Sequence, residues 1–186
     1  MSDQTRWEIE QSQIVLDASP FMIVRQEKCL LPNGVVIPDY NIISEPDIVI
    51  ALVLTDQNEL VLVEQYKHGI GQICLELPGG LSDGGSPLSE IQREVQEETG
   101  FTSDEWQPLA TYINNPTRFD NHIHAFIATN ARQVTEQHLD PAEDITIRVM
   151  PISQVLSHVE TGKIRAVHSI ATIFQGLTRL NYWYEN

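Results

Sequence analysis

At 186 residues, 41% of them hydrophobic, the chain suits one domain with a substantial core and at most a small appendage. A formal net charge of −15 argues against a nucleic-acid partner and against an anionic membrane surface. Cys29 and Cys74 stand far apart and outside any CxxC, Met1 to Gln13 has no apolar signal core, and no apolar run is long enough to cross a bilayer, so a soluble cytoplasmic protein is expected.

The first segment reads as β-structure. Phe21 to Leu31 is a strand candidate, Pro32-Asn33-Gly34 is a turn, and Val35 to Ser44 is the returning strand. Glu45-Pro46-Asp47 breaks the pattern and marks a boundary. Ile48 to Leu54 is an almost continuous apolar run, as in a strand buried on both faces. Asp56-Gln57-Asn58 then turns the chain into Leu60 to Tyr66. Cys74 to Leu77 is a short strand, and Pro78-Gly79-Gly80 with Asp83-Gly84-Gly85 makes a loop.

A helix follows that loop. Ser86 is placed as its N-cap, Pro87 as its first residue, Leu88, Ile91 and Val95 as its apolar stripe, and Gly100 as its left-handed stop. Later elements are a strand at Thr111 to Asn114, an alternating strand at His122 to Ala128 and a strand at Ile145 to Met150. A helix over Ser153 to Glu160 and a final helix from Ala166 to Asn181 complete the set. No repeat or low-complexity tract appears.

The first helix carries the chemistry. Glu94, Glu97 and Glu98 sit at i, i+3 and i+4, and Glu90 lies one turn earlier on the same side. Like charges at that spacing repel, and crowded carboxylates resist full ionisation. A hard divalent cation relieves both costs, and Mg²⁺ or Mn²⁺ accepts a few carboxylates together with waters and substrate phosphates. A solvated acidic face is the bland alternative for such a row when it stands alone. Here a glycine-rich loop, a proline start and a glycine stop frame it.

Leu77-Pro78-Gly79-Gly80 and Arg93 to Phe101 resemble the Nudix box, G-x5-E-x7-R-E-U-x-E-E-x-G-U, where U is aliphatic or aromatic. Its second half matches at Arg93, Glu94, Val95, Glu97, Glu98, Gly100 and Phe101. The first half departs, because Gly79 aligned with the box glycine puts Gly85 where a glutamate is expected. In the family that glutamate supports the loop and the metal shell. Val61 to His68, Glu76 to Gly80, Pro116 and the tail from Glu143 are similar to the nucleoside-diphosphate-sugar branch, typified by ADP-ribose pyrophosphatases.

The resemblance implies an α+β protein: an α/β/α sandwich with a mixed sheet over 46–186, preceded by a small N-terminal antiparallel sheet over 1–45 that serves a homodimer. It implies metal ligation by Glu94, Glu97, Glu98 and the Gly79 carbonyl, with Arg93 orienting the glutamates. Glu97 counts as catalytic as well, through its place in the cluster. The general base is taken from a late loop. Glu143 is the first candidate, weighed against a plain solvated acid, and Asp140 is the second. Lys67 falls where relatives bind phosphates, although a strand-end lysine is an equal reading. Arg118 and Phe119 are candidate contacts to the sugar or base. His122 and His124 read as ordinary strand residues, and Trp7 and Tyr40 as interface packing.

The expected activity is Mg²⁺-dependent hydrolysis of a nucleotide sugar, ADP-ribose before GDP-mannose. The alternatives are a non-catalytic nucleotide-sugar sensor and a hydrolase of oxidised nucleoside triphosphates. A small-molecule nucleotide sugar is the expected partner, with no nucleic acid and no membrane.

Overall fold

The computed structural model describes residues 6–185. It divides into two compact units, Met1–Pro46 with Ile113–His122, and Asp47–Tyr112 with Ile123–Asn186.

The first unit is a three-stranded antiparallel sheet in the order β1-β2-β3, with β1 at Glu8–Ala18, β2 at Met22–Leu30 and β3 at Val36–Ser44. The expected turn joins β2 to β3. Gly34 has φ of 84°, and the Val35 amide donates to Asn33 Oδ1. The first of these strands carries no clear sequence signal. Register shifts at Ile9/Gln11 and Ile14/Leu16 break its alternation, so no period of two survives to be read. The chain returns to this unit at 113–122. There Phe119 bridges to Ile43, the Tyr40 hydroxyl donates to the Thr117 carbonyl, and Arg25 grips Asp120 at 3.1 Å.

The second unit holds a mixed sheet in the order β11-β5-β4-β10-β8. Its strands are β4 (Ile48–Thr55), β5 (Glu59–Lys67), β6 (Gln72–Glu76), β7 (Gly79–Leu81), β8 (Phe101–Thr102), β9 (Glu105–Ile113), β10 (His122–Gln133) and β11 (Ile145–Pro151). Beside the main path, β6 pairs with β5, β7 with β4, and β9 with β10. Only β4 and β10 run parallel to each other among these pairs. The helices are α1 (Pro87–Thr99), α2 (Ile152–Glu160), α3 (Val167–Arg179) and α4 (Tyr182–Glu185).

Strand β4 shows why its sequence is apolar throughout. Ile50, Leu52 and Leu54 face one cluster with Ile173 and Leu177 of α3, while Val49, Ala51 and Val53 face the other with Ile91 and Val95 of α1. A strand covered on both faces needs no polar alternation. Helix α3 lies so close that a Cβ on Gly176 would stand 2.6 Å from Leu52 Cδ2.

Two strands are longer than their sequence pattern suggests. β9 begins at Glu105 and contains Pro108, tolerated because β9 pairs only with β10. β10 continues to Gln133 past a register shift between Ala128 and Ala131, where Asn130 has φ of 53°. Leu88, expected on the α1 stripe, is exposed. The helix instead buries Glu90, Ile91, Val95, Glu98 and Thr99.

Candidate active site

The glycine-rich loop, α1 and the segment before β11 meet in the second unit. Strand β7 pairs with β4, and the Ala51 amide donates to the Pro78 carbonyl, so the loop is pinned to the sheet before α1 starts. Gly80 lies directly against Glu94, where a Cβ would stand 2.6 Å from the carboxylate. Any side chain there would displace the acid.

Glu98 is the most buried of the helix acids named by the box, at 5% exposure. Burial pushes its carboxyl up to about 8. The Gly79 N–H, donating to Glu98 Oε2 at 2.9 Å, and the charge of Lys67 work against that rise, while Glu94 and Glu143 add to it. Glu94 is raised as well, by burial first, with Arg93 opposing and Glu97 and Glu143 reinforcing. Arg93 bridges its neighbours, donating from Nη2 to Glu94 Oε1 and from Nη1 to Glu97 Oε2, both at 2.6 Å. Glu97 is 40% exposed at its side chain and Arg93 43%.

Glu143 reaches this group from a different part of the chain. Its carboxylate accepts from the Asp140 amide at 3.0 Å, its own amide donates back to the Asp140 carbonyl, and its charge is felt at both Glu94 and Glu98. Asp140 is exposed. The segment before Glu143 is tied to the end of α1. Gln137 Nε2 donates to the Glu98 carbonyl at 2.6 Å and to the Ile145 carbonyl at 3.1 Å, and the His138 amide donates to the Glu97 carbonyl. Nothing in the sequence pattern marks Gln137, because its partners are main-chain atoms.

Glu90 is the other residue the sequence undersold. It is 7% exposed, and its Oε1 accepts from the Asp83 amide at 3.1 Å and the Gly85 amide at 2.7 Å. The Ser82 hydroxyl, ahead of those amides and the charge of Arg93, holds its carboxyl below the usual range against burial. A Cβ on Gly85 would stand 3.0 Å from that same oxygen. The place expected for the box glutamate is therefore glycine, and a carboxylate rooted five residues later in α1 ties the loop.

Lys67 pairs with Glu76 at 3.0 Å and donates to Gln65 Oε1 at 2.8 Å. Arg118 stacks over Tyr40 with its guanidinium carbon 4.5 Å from the ring centre and donates to the Asn41 carbonyl, all within the first unit, where Phe119 also lies. His124 bonds Asp47 Oδ2 at 3.0 Å and approaches Thr111 Oγ1 at 3.4 Å, a strand-tying role. Trp7 meets Tyr40 edge-on with ring centres 5.2 Å apart.

Among the described residues, no three His, Cys, Asp or Glu side chains already converge into a closed metal cage. The donor set fits an open one. Mg²⁺ takes one or two carboxylates and completes its shell with water and substrate phosphate, and Glu98 is a buried acid whose proton a cation would displace.

A helix of paired glutamates behind a glycine-rich loop, on an α/β/α sandwich, defines a NUDIX domain. The NUDIX domain family matches residues 45–171, and the chain belongs to it as a Nudix hydrolase. The methanol dehydrogenase activator of Bacillus methanolicus is 27% identical over 136 residues, covering 72% of this chain and 73% of that protein. The ADP-ribose pyrophosphatase of Mycobacterium tuberculosis is 28% identical over 172 residues, covering 86% and 82%. A solved ADP compounds hydrolase superimposes with a TM-score of 0.85 over 98% of each chain, at 19% identity, which shows the shared fold.

Proposed function

We propose that this protein hydrolyses the pyrophosphate bond of a nucleoside diphosphate linked to a sugar, with ADP-ribose favoured, giving AMP and ribose 5-phosphate. The observation that carries the proposal is the cluster of Glu94, Glu97 and Glu98 under the glycine-rich loop, with Glu98 buried against the Gly79 amide, Gly80 packed on Glu94 and Arg93 bridging Glu94 and Glu97. The relatives that include an ADP-ribose pyrophosphatase support the substrate class.

Glu94, Glu97, Glu98 and the Gly79 carbonyl would hold Mg²⁺ or Mn²⁺. A bound divalent ion lowers the pKa of water and offsets charge on the leaving phosphate. The protein's own groups do the rest. Arg93 keeps Glu94 and Glu97 from swinging apart through two charge-assisted hydrogen bonds. Glu143 takes the proton of the attacking water, from a segment braced by Gln137. Lys67 places a positive charge beside the acids, where phosphate must come close to carboxylate. Arg118, stacked over Tyr40 and donating to the Asn41 carbonyl, and Phe119 are kept as the candidate contacts to the sugar or base.

We also infer a homodimer. Every residue of β1 is exposed, including Ile9, Ile14, Val15 and Leu16, and an apolar edge strand of that length calls for a covering partner.

The test is release of AMP from ADP-ribose in Mg²⁺. Wild type turns over, EDTA stops it, and Glu143→Gln loses about a hundredfold in kcat, within the range for a general base. Binding of ADP-ribose without any turnover would make the protein a sensor instead. Sedimentation of the same preparation as a monomer would end the dimer inference.

A further inference from the structure

Strand β4 pairs with β5 only through Val53–Val61 and Leu54–Leu60. Beyond those pairs the strands part company. β4 takes β7 along Ile48–Ile50, and β5 takes β6 along Val63–Lys67. The sheet therefore opens into a cleft at that end, and a cavity of about 320 Å³ lies there, lined by Ile48, Ile50, Leu77, Lys67, Glu76 and His168. Its rim is Gly79 and Gly80, the same two residues that touch Glu98 and Glu94. A group in this cavity sits beside the proposed hydrolytic centre.

The polar groups identify what fits. Lys67 and Glu76 form an ion pair at 3.0 Å in the cavity wall. What they bring is donors on Lys67 and acceptors on Glu76. His168, in the first turn of α3, is half-buried, and its ring has no hydrogen-bond partner among the described residues. The next residue fixes its place, because Ser169 Oγ accepts from the Leu77 amide at 3.2 Å and locks the turn under the loop. A donor, an acceptor and an imidazole able to act as either, against an apolar wall, match the hydroxyls and the apolar face of a sugar ring.

We propose that this cleft receives the sugar beyond the second phosphate, and that His168 is a specificity-determining residue that hydrogen-bonds its hydroxyls. The inference rests on the nucleotide-sugar reading and adds to it where the sugar goes. Burial holds the His168 imidazole below its ordinary value, opposed by Glu76 and aided by Lys67, so it meets the sugar as a neutral donor and acceptor.

Calorimetric titration with ADP and with ADP-ribose tests this, using Ca²⁺ as a non-turnover metal. Wild type should bind ADP-ribose more tightly than ADP. His168→Ala should lose about tenfold for ADP-ribose, the scale of one neutral hydrogen bond, and leave ADP unchanged. His168→Phe, which fills the cleft, should lose at least as much. Thermal melting confirms that both variants are folded. The inference is overturned by equal weakening toward both ligands, by no change in either, or by a wild type that gains nothing from the sugar. Failure of the hydrolytic reading is separate. It shows as absence of AMP release in Mg²⁺, and the ADP-ribose to ADP ratio remains readable without turnover.

Discussion

Helix α1 carries two surfaces governed by opposite rules. On one, Ile91 and Val95 are fully buried against Val49, Ala51, Val53 and Phe126, and their contribution is burial and close packing. On the other, Glu90, Glu94 and Glu98 are acids taken largely out of water. Two of these acids, Glu94 and Glu98, are driven toward protonation, and the third, Glu90, is held ionised by loop hydroxyl and amide donors. The first surface lowers the free energy of the fold. The second raises it locally and stores that cost at the place where a cation would relieve it. One thirteen-residue helix thus serves as both core and reagent.

Separating the two surfaces by mutation should separate stability from activity. The largest effect is expected on the packing side. Ile91→Ala should destabilise the protein by about 2–5 kcal/mol, measured by denaturant unfolding. Metal affinity of the folded fraction should be nearly unchanged, and a loss of affinity with intact stability would erase the distinction.

Glu98→Gln comes next. It should cost at least about a hundredfold in turnover, or roughly 2.7 kcal/mol, because it removes a ligand charge at the reacting centre. It should not lower stability in metal-free buffer. The sign follows from the proton balance. With its carboxyl raised to about 8, folded Glu98 holds a proton that the unfolded chain, at an ordinary 4.5, has already released. Metal-free wild type should therefore lose stability as pH rises from about 5 to about 8 and change little from this group above that. Melting curves across the range should show the decline in wild type, a flatter course in Glu98→Gln, and proton release when Mn²⁺ is added near pH 7.

Glu90 gives the smallest and sharpest test. Glu90→Ala frees the Asp83 and Gly85 amides and should lower turnover about tenfold, the scale of one or two lost charge-assisted hydrogen bonds. Gly85→Glu alone should also impair the enzyme, since its Cβ meets the Glu90 carboxylate. Together the two changes should restore activity, one loop-tying acid replacing the other. Additive losses in the double variant would show that Glu90 serves another purpose.

Much of this was legible in the chain. The apolar run of β4, the turn at Asn33-Gly34, the proline start and glycine stop of α1 and the row of glutamates are local patterns, and local patterns survive as sequence periods. Strands β1 and β10 were harder, because register shifts at Ile9/Gln11 and Ala128/Ala131 destroy the alternation that marks a strand. Only the tertiary structure could bring Glu143 beside Glu98, set Gln137 on the end of α1, put Glu90 under the loop, or open the cleft that His168 faces. Those placements depend on main-chain partners and on contacts between residues tens of positions apart. Residue types and their spacing state which groups are available for chemistry. Which of them lose water, and which then share it with a neighbour of like charge, is settled when the sheet and its helices pack.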